Sequence, residues 1–566
     1  MIAVMRILLL LALVMPALAQ DRTQARSMVI SDRGIVATSQ TLASQAGAQI
    51  LARGGSAIDA AIAANATLGV VEPMMNGIGG DLFAIYWDAR TGKLTGLNAS
   101  GWAPRALTIE FLKSLGHTTM PQRGIQSVTV PGAVNGWAKL HGKFGKLPWA
   151  DLFQPAIYYA EHGYPLTELI QENWRLNTGK LQENENASRV FLRNGNAPQL
   201  GEIFRNPQMA SALKLIAAQG PEAFYRGPIA QALLKTSKRL GGTMAADDLS
   251  DFSAEWVQPI STEYRGWKVY EMPPNSQGIA ALEMLNLFAQ FPLRDYMSRS
   301  ADELHIQIEA QKLAYADLQR YVADPRFAKV PVDGMLSLSY ARERAKLIDP
   351  AKANCDVPPG KPLPGAGDTI YLSVVDREGN IVSLIQSLFS DFGSAVVVDD
   401  YGFALHNRGG LFTLDARHPN ALAPRKRPFH TIIPGFMEKG NLHIGFGIMG
   451  GLNQAQAHAQ FVSNIADQDM NIQLAMETPR FRKETQAGCQ VAIENRVEAE
   501  VRKGLEARGH QLRVVGDFSD TVGGGQAVLY DSATKVKYGA SDARKDGAAV
   551  PEPHPYFTSP ASLPRR

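Results

Sequence analysis

Apolar residues recur at helical spacing in two stretches of the chain. In residues 41–53 they stand three or four positions apart until a Gly-Gly pair stops the pattern, which predicts a helix. A second helix is predicted directly afterwards, because Ser56 and Asp59 have the spacing of a capping box. Residues 303–322 carry apolar side chains along one face, namely Leu304, Ile308, Tyr315, Leu318 and Val322. We predict that this segment is an amphipathic helix lying on a core, with a structural role.

Strand patterns interleave with these helices. Residues 82–97 and 442–448 have the composition of strands, and alternation is clearest after Asp368. There, Ile370, Leu372 and Val374 fall on one face, whereas Thr369, Tyr371, Ser373 and Val375 fall on the other. Helices and strands alternate without a clear repeat, which indicates an α/β protein.

The strand that begins at Thr369 is predicted to form a hairpin with residues 381–389. A three-residue loop, Arg377-Glu378-Gly379, places glycine where the left-handed conformation is needed. Opposite residues then have numbers that sum to 756, so Thr369 faces Ser387. Directly opposed Cβ atoms lie roughly 4.5–5.5 Å apart, which lets two hydroxyls hydrogen-bond. A loop one residue longer would turn Ser387 to the other face, and solvent-facing decoration of a strand is the alternative interpretation.

Composition excludes several classes of function. The 566 residues are 45% hydrophobic and 20% charged, with a net charge of +3, which is typical of a globular protein and not of a disordered one. Basic clusters such as PRKRP (424–428) are short, so we expect no nucleic-acid partner.

The N-terminus predicts export. Residues 1–19 combine Arg6, an apolar run from Ile7 to Val14 and a small-residue triplet that ends at Ala19, which is the pattern of a cleaved signal peptide. The alternative is a membrane anchor, but the run is too short to cross a bilayer. We therefore expect a secreted or periplasmic protein without a membrane span after signal removal.

Only two cysteines are present, Cys355 and Cys489. An exported protein can form a disulfide between them, and two free thiols are the alternative.

The strongest break in the chain is the Pro/Gly-rich stretch DVPPGKPLPGAGD, residues 356–368. One interpretation is a linker between domains. The other is a processing site, because cutting the bond between Asp368 and Thr369 would free an α-amine that can take the proton from the hydroxyl of Thr369. A flexible lead lets that hydroxyl reach the carbonyl of Asp368.

A second catalytic feature is the glycine pair in GFGIMGGLNQAQAH, residues 445–458. Backbone amides of Gly450 and Gly451 can turn toward a developing oxyanion with no Cβ in the way. Most Gly-Gly pairs are simply turns, so this pair supports a catalytic site only in combination with Thr369.

With these residues the chain resembles the γ-glutamyltransferase family of N-terminal nucleophile hydrolases over nearly the whole mature sequence. The matching blocks, in chain order, are LASQAGAQILARGGSAIDAAIAA, NGIGGDLF, VPGAVNGWAKLHGKFGKLPW, MPPNSQG, AYADLQRYVADPRF, DTIYLSVVDREGN, RPFHTIIP, MGG and YGASDARKDG.

The resemblance implies a four-layer αββα sandwich made as one precursor. Self-cleavage would give a large subunit, residues 20–368, and a small subunit, residues 369–566, which stay together as a heterodimer. Thr369 falls on the position of the family nucleophile and Ser387 on that of its supporting hydroxyl residue. Gly450 and Gly451 fall on the oxyanion pair. No cofactor or metal is expected.

Two positions in the implied substrate pocket depart from the glutathione-type members. Their arginine for the glutamate α-carboxylate aligns near Ser100, and their aspartate for the α-amino group aligns with Leu411. A buried ammonium or carboxylate without its partner costs several kcal/mol, so we expect poor recognition of a free α-amino acid.

Four further positions differ or are only partly kept. Phe389 stands where those members have an asparagine, and Arg408 stands where they have a glutamine. Those members also have a pair of neighbouring serines. Here Thr431 replaces one serine and keeps a hydroxyl, whereas His430 replaces the other. Arg408 is expected to clamp a carboxylate with its planar fork. The loop 413–426 is shorter than a lid, which favours bulky substrates and water as acceptor.

The resemblance thus implies an amidase that cleaves or transfers γ-glutamyl or glutaryl-like groups from small amides such as glutathione. An acyl-enzyme would pass the group to an amino acid, a peptide or water. The pocket is similar to the branch that includes cephalosporin acylase-like enzymes, whose acyl group lacks the amino group.

Two other classes of protein are alternatives. A serine or metal hydrolase is disfavoured because the sequence has no G-x-S-x-G and no H-E-x-x-H, and His406, His430 and His458 lack metal-ligand spacing. The second alternative is an exported binding protein that keeps the fold but is never cut.

Overall fold

The computed structural model describes residues 24–357, 368–484 and 487–556. The signal-peptide prediction, residues 1–19, and most of the Pro/Gly-rich break lie outside these ranges. In the described part of the chain, no helix combines the length and the apolar character needed to cross a membrane.

The helices, in chain order, are α1 Thr41–Ala52, α2 Ala57–Val71, α3 Ile109–Ser114, α4 Ala133–Phe144, α5 Gln154–His162, α6 Glu168–Leu176, α7 Thr178–Gln182, α8 Glu185–Phe191, α9 Pro207–Gln219, α10 Glu222–Tyr225, α11 Pro228–Arg239, α12 Ala246–Ser250, α13 Gly278–Phe288, α14 Ala301–Tyr321, α15 Val332–Met335, α16 Leu338–Ala345, α17 Asn453–Ala466, α18 Ile472–Glu477 and α19 Ala499–Ala507.

The strands are β1 Val29–Ser31, β2 Ile35–Thr38, β3 Asp81–Asp88, β4 Lys93–Ala99, β5 Tyr164–Pro165, β6 Ile203–Phe204, β7 Glu255–Val257, β8 Ile260–Tyr264, β9 Trp267–Glu271, β10 Asp368–Val375, β11 Ile381–Phe389, β12 Gly435–Lys439, β13 Leu442–Ile448, β14 Phe481–Arg482, β15 Gln490–Glu494, β16 Gln511–Val515, β17 Gly525–Asp531, β18 Lys537–Ser541 and β19 Ala548–Pro551.

Two seven-stranded sheets form the centre of the molecule. One, here called the Thr369 sheet, has the order β19-β2-β10-β11-β3-β4-β7, and the opposite sheet has the order β1-β18-β17-β13-β12-β9-β8. Neighbouring strands in both sheets are antiparallel.

Three buried layers hold these sheets and the helices together. Ile370, Leu372 and Val374 pack against α1 and α2 on the outer side of the Thr369 sheet. Tyr371 and Val375 lie between the two sheets. Helices α13, α14 and α17 cover the outer side of the opposite sheet. The predicted αββα architecture is confirmed.

Most sequence-predicted elements near the site are present. The capping box is formed: Ser56 Oγ accepts from the Asp59 amide, and the Asp59 carboxylate accepts from the Ser56 amide. Residues 82–97 form most of β3 and β4, and residues 442–448 form β13.

The amphipathic prediction for residues 303–322 is wrong in one respect. Helix α14 is buried on nearly all sides, including Glu303, Gln307 and Gln311. Its Ile306 face packs in the core of the opposite sheet, whereas Leu304 packs in a second cluster with strand β15 and helix α19. Residues 481–512 therefore cover the N-terminal part of the predicted apolar face, and the face around Ile306, which the pattern left to solvent, is buried in the core of the opposite sheet.

The hairpin of β10 and β11 has the predicted register. Tyr371 pairs with Ile385 and Ser373 with Ser383, and Gly379 in the loop has φ 90°. The face that carries Thr369 points between the two sheets, so solvent-facing decoration is excluded.

The structure pairs the two cysteines. Cys355 and Cys489 form a disulfide with their Cα atoms 5.0 Å apart. One partner precedes the proposed cutting point and the other follows it.

Candidate active site

The hydroxyls of Thr369 and Ser387 meet at the start of β10. Thr369 Oγ1 donates to Ser387 Oγ at 3.3 Å, and Ser387 Oγ also accepts from the Phe389 amide at 2.7 Å. The ladder is irregular between Asp368 and Ile370, so Thr369 lies in a bulge and not in a regular pair. The two side chains nevertheless lie together, as the hairpin argument predicted.

A glutamine that the sequence analysis did not single out completes this group. Gln454, in the first turn of α17, donates from Nε2 to Thr369 Oγ1 at 3.4 Å. Its Oε1 accepts from the Ile433 amide at 3.0 Å, which fixes the orientation of the side-chain amide. Because Gln454 lies on a different element, local pattern could not link it to Thr369.

The two glycines lie immediately before α17. Within the described chain, neither the Gly450 nor the Gly451 amide donates a hydrogen bond to any group. Gly450 has φ 117° and Gly451 has φ 61°, conformations that favour glycine. Their carbonyls accept from the Asn453 and Gln454 amides, which ties the glycine loop to the helix start. Two free amides beside a helix N-terminus suit a developing negative charge.

Behind the hydroxyl pair lies a buried charged cluster around Asp81, which was not predicted. Arg408 Nε donates to Asp81 Oδ2 at 3.0 Å and Arg408 Nη2 to Oδ1 at 3.3 Å. His430 Nε2 donates to Asp81 Oδ2 at 2.6 Å, and His406 Nδ1 lies 3.2 Å from the same oxygen.

The charge state of the cluster follows from its contacts. Burial raises the pKa of the Asp81 carboxyl, but Arg408 and His430 outweigh it and hold that pKa well below its usual range. Burial, with the positive charge of Arg408, lowers the pKa of His430 to about 4. At neutral pH Asp81 is therefore an anion, Arg408 a cation and His430 neutral.

Arg408 does not present a free fork, contrary to the expectation that it clamps a substrate carboxylate. Both fork nitrogens bind Asp81, because β3 brings that carboxylate to the same wall. The third nitrogen, Nη1, donates to Thr431 Oγ1 at 2.7 Å, and the Phe389 ring stacks 4.7 Å from the guanidinium carbon. Phe389 itself has φ 77°, which is strained for an aromatic residue.

The two positions at which the glutathione-type contacts are missing are occupied by other interactions. Ser100 Oγ donates to Asn98 Oδ1 at 2.7 Å and is buried. Leu411 packs with Phe389 and Phe429 in an apolar cluster. Neither position offers a charge to a free amino acid.

Every one of the predicted catalytic and pocket side chains is buried in the uncut chain. The described part of β10 begins at Asp368, so the proposed cutting point lies at the start of this strand.

One cluster elsewhere in the described residues has metal-ligand geometry: His305, Glu309 and His510. Lys312 Nζ donates to Glu309 Oε1 at 2.6 Å, and His510 lies among cations that, with burial, lower its pKa to about 3. A second cation there would be repelled, which makes a structural role for this group the better interpretation.

His458 likewise has a satisfied structural position. Its Nδ1 lies 2.7 Å from Glu271 Oε1, and its Nε2 accepts from the Ile448 amide at 3.1 Å. Both ring nitrogens of His458 therefore have partners in the core.

Comparisons with known proteins agree with this geometry. The model of the gamma-glutamyltranspeptidase family matches residues 43–552. The glutathione hydrolase-like YwrD proenzyme of Bacillus subtilis is 37% identical over 527 residues, covering 92% of this chain and 99% of that protein. The oxamate amidohydrolase proenzyme of Klebsiella pneumoniae is 34% identical over 534 residues, covering 92% and 99%. A crystal structure of cephalosporin acylase from Bacillus halodurans superimposes with a TM-score of 0.87 at 41% identity, covering 94% and 98%.

Proposed function

Because the chain belongs to the gamma-glutamyltranspeptidase family, we propose that it is an amide hydrolase and acyltransferase that cuts itself before Thr369 and then uses Thr369 as its nucleophile. The observation that carries this proposal is the meeting of Thr369 and Ser387 beside two glycine amides that have no hydrogen-bond acceptor among the described residues. Gln454 links them, since it contacts Thr369 Oγ1 through its side chain and the Gly451 carbonyl through its backbone.

Self-cleavage uses these residues and one water molecule, and the hydroxyl proton of Thr369 passes to the departing backbone nitrogen. Thr369 Oγ1 attacks the carbonyl carbon of Asp368, the C–N bond breaks, and the acyl group moves to the oxygen as an ester. Water then hydrolyses the ester, which leaves a carboxylate on Asp368 and a free α-amine on Thr369.

The freed amine is the base for turnover. It takes the proton from Thr369 Oγ1 as that oxygen attacks the substrate amide, and it gives a proton to the leaving amine. Gly450 and Gly451 amides stabilise the oxyanion. The acyl-enzyme passes its group to water, or to the amine of an amino acid or peptide, and Thr369 is regenerated.

The disulfide gives a direct test of the cut. We expect a denaturing gel without reductant to show one species, because Cys355 and Cys489 join the large subunit, 20–368, to the small subunit, 369–566. With reductant, two bands should appear, and mass analysis should give N-termini at Gln20 and Thr369. Cys489→Ser is the control, since it should give two bands without reductant. A single reduced band would favour the uncut binding protein.

Export is part of the proposal. The leader in residues 1–19 and the disulfide both suit an oxidising compartment, either secreted or periplasmic. An N-terminus at Gln20 in the same mass analysis tests it.

For the acyl group, we propose a γ-glutamyl-like amide whose acyl part lacks the free α-amino acid end. Ser100 and Leu411 give no charged partner to an α-ammonium or α-carboxylate. A cephalosporin acylase and an oxamate amidohydrolase stand among the similar proteins, which supports this choice.

This proposal predicts a preference between two donors. Glutaryl-p-nitroanilide should be turned over with a kcat/KM about ten-fold or more above that of γ-glutamyl-p-nitroanilide, because burying an unpaired ammonium is costly. The two donors differ only in the amino group and share the leaving group. A strong preference for the γ-glutamyl donor would favour a glutathione-type enzyme.

A further inference from the structure

We propose that Asp81 determines which acyl groups the site accepts, because it neutralises Arg408 at the wall of the acyl pocket. This inference rests on the proposed function and names a specificity residue for the same site. Asp81 acts through Arg408, so it is a positioning residue and not a catalytic one.

The position of Asp81 follows from strand pairing. In the ladder of β3 and β11, Asp81 lies directly opposite Ser387, whose hydroxyl accepts from Thr369. The side chains of Asp81, Ser387 and Thr369 therefore lie next to one another on three neighbouring strands, on the face of the Thr369 sheet that points toward the opposite sheet. A carboxylate at this point is next to the reacting groups.

Arg408 extends the cluster toward the glycine loop. Its Nη1 binds Thr431 Oγ1, and Gln277 Nε2 donates both to the Thr431 carbonyl and, at 2.7 Å, to the Gly451 carbonyl. The charged pair beside Ser387 is thus connected to Gly451 through Thr431 and Gln277, and we place the acyl part of a bound amide between these two ends.

The pair has no net charge at this wall. Asp81 is an anion beside the cation of Arg408, and His430, which also binds this carboxylate, is neutral. Of the five N–H donors of a guanidinium, two bind Asp81 and one binds Thr431. Two donors remain for a substrate, but the charge that would select a carboxylate is cancelled.

The chemical consequence concerns the far end of the acyl chain. A polar, uncharged end such as a primary amide can use the remaining donors about as well as a carboxylate can. The site should therefore accept both, within about three-fold in kcat/KM, whereas an unpaired arginine would strongly prefer the carboxylate.

The test compares glutaryl-p-nitroanilide with its neutral analogue, 4-carbamoylbutyryl-p-nitroanilide, on the self-processed enzyme. Asp81→Asn frees the fork of Arg408 and should raise the ratio of kcat/KM values, glutaryl over neutral, about ten-fold or more, mainly through KM. Arg408→Gln removes the guanidinium charge that balances Asp81 and should lower the same ratio about ten-fold. Opposite shifts are a result that general loosening of the fold would not give.

Two more variants complete the test. The double variant Asp81→Asn/Arg408→Gln removes both charges and should return the ratio to within three-fold of the parent, and Asp81→Glu should do the same. If Asp81→Asn fails to mature, the shift in Arg408→Gln decides alone. Equal ratios in all variants would overturn the inference while the proposed function stands. Absence of turnover of either donor by the parent enzyme would overturn both.

Discussion

Thr369→Ala is expected to remain one uncut chain and to lose amide turnover by roughly 10⁴-fold or more. The substitution removes the only atom proposed to attack, first the carbonyl of Asp368 and then the substrate. Without the cut, the α-amine stays in a peptide bond and cannot act as base. Reduced denaturing gels and intact-mass analysis report the cut, and p-nitroaniline release reports turnover.

Thr369→Ser is the matched control. It keeps a hydroxyl and, after cutting, an α-amine at the same position, and it loses only a methyl group from a buried site. We expect two subunits and measurable turnover from this variant. Cutting or full activity in Thr369→Ala, with an unchanged thermal unfolding midpoint, would remove Thr369 from the mechanism.

The hairpin shows which part of the site can be predicted from the sequence. Its strands and loop are contiguous, so period-two alternation and one glycine in the left-handed conformation fix the register from Ile370 to Val375. The bulge at Thr369 was not predicted, because it depends on how the chain enters the strand and not on alternation.

Asp81 shows which part of the site cannot be predicted from the sequence. It lies 327 residues before Arg408 along the chain, and their contact exists only because β3 pairs with β11 in the middle of the sheet. An aspartate at the start of a strand carries no local signal of that pairing. For the same reason, the sequence did not predict that Asp81 binds two of the Arg408 nitrogens expected to clamp a substrate carboxylate.

Burial of polar side chains on α14 has a similar origin. Apolar spacing identified the helix, but its predicted face is divided between two cores, one of them built with β15 and α19 from much later in the chain, and the other side of the helix is buried as well. Periodicity describes one interface of a helix well. It cannot predict that residues distant in sequence will cover a second face of the same helix.

Gly450→Ala is expected to lower kcat about 10²- to 10³-fold after maturation, with a smaller change in KM. Gly450 has φ 117°, and a Cβ there would stand 3.1 Å from Asn453 Cβ at the start of α17. The backbone must rotate to relieve both strains, which turns the amides of Gly450 and Gly451 away from the oxyanion. Steady-state kinetics with glutaryl-p-nitroanilide measures the loss.

Gly440→Ala separates this effect from simple backbone strain. Gly440, in the turn between β12 and β13, has φ 57°, and a Cβ built there meets nothing within 4 Å. We expect this variant to lose about 1 kcal/mol of unfolding free energy and to keep kcat. If both variants lose stability but neither loses kcat, the glycine amides do not bind the oxyanion. A loss of kcat confined to Gly450→Ala instead assigns charge stabilisation to the loop before α17, because strain alone is present in both.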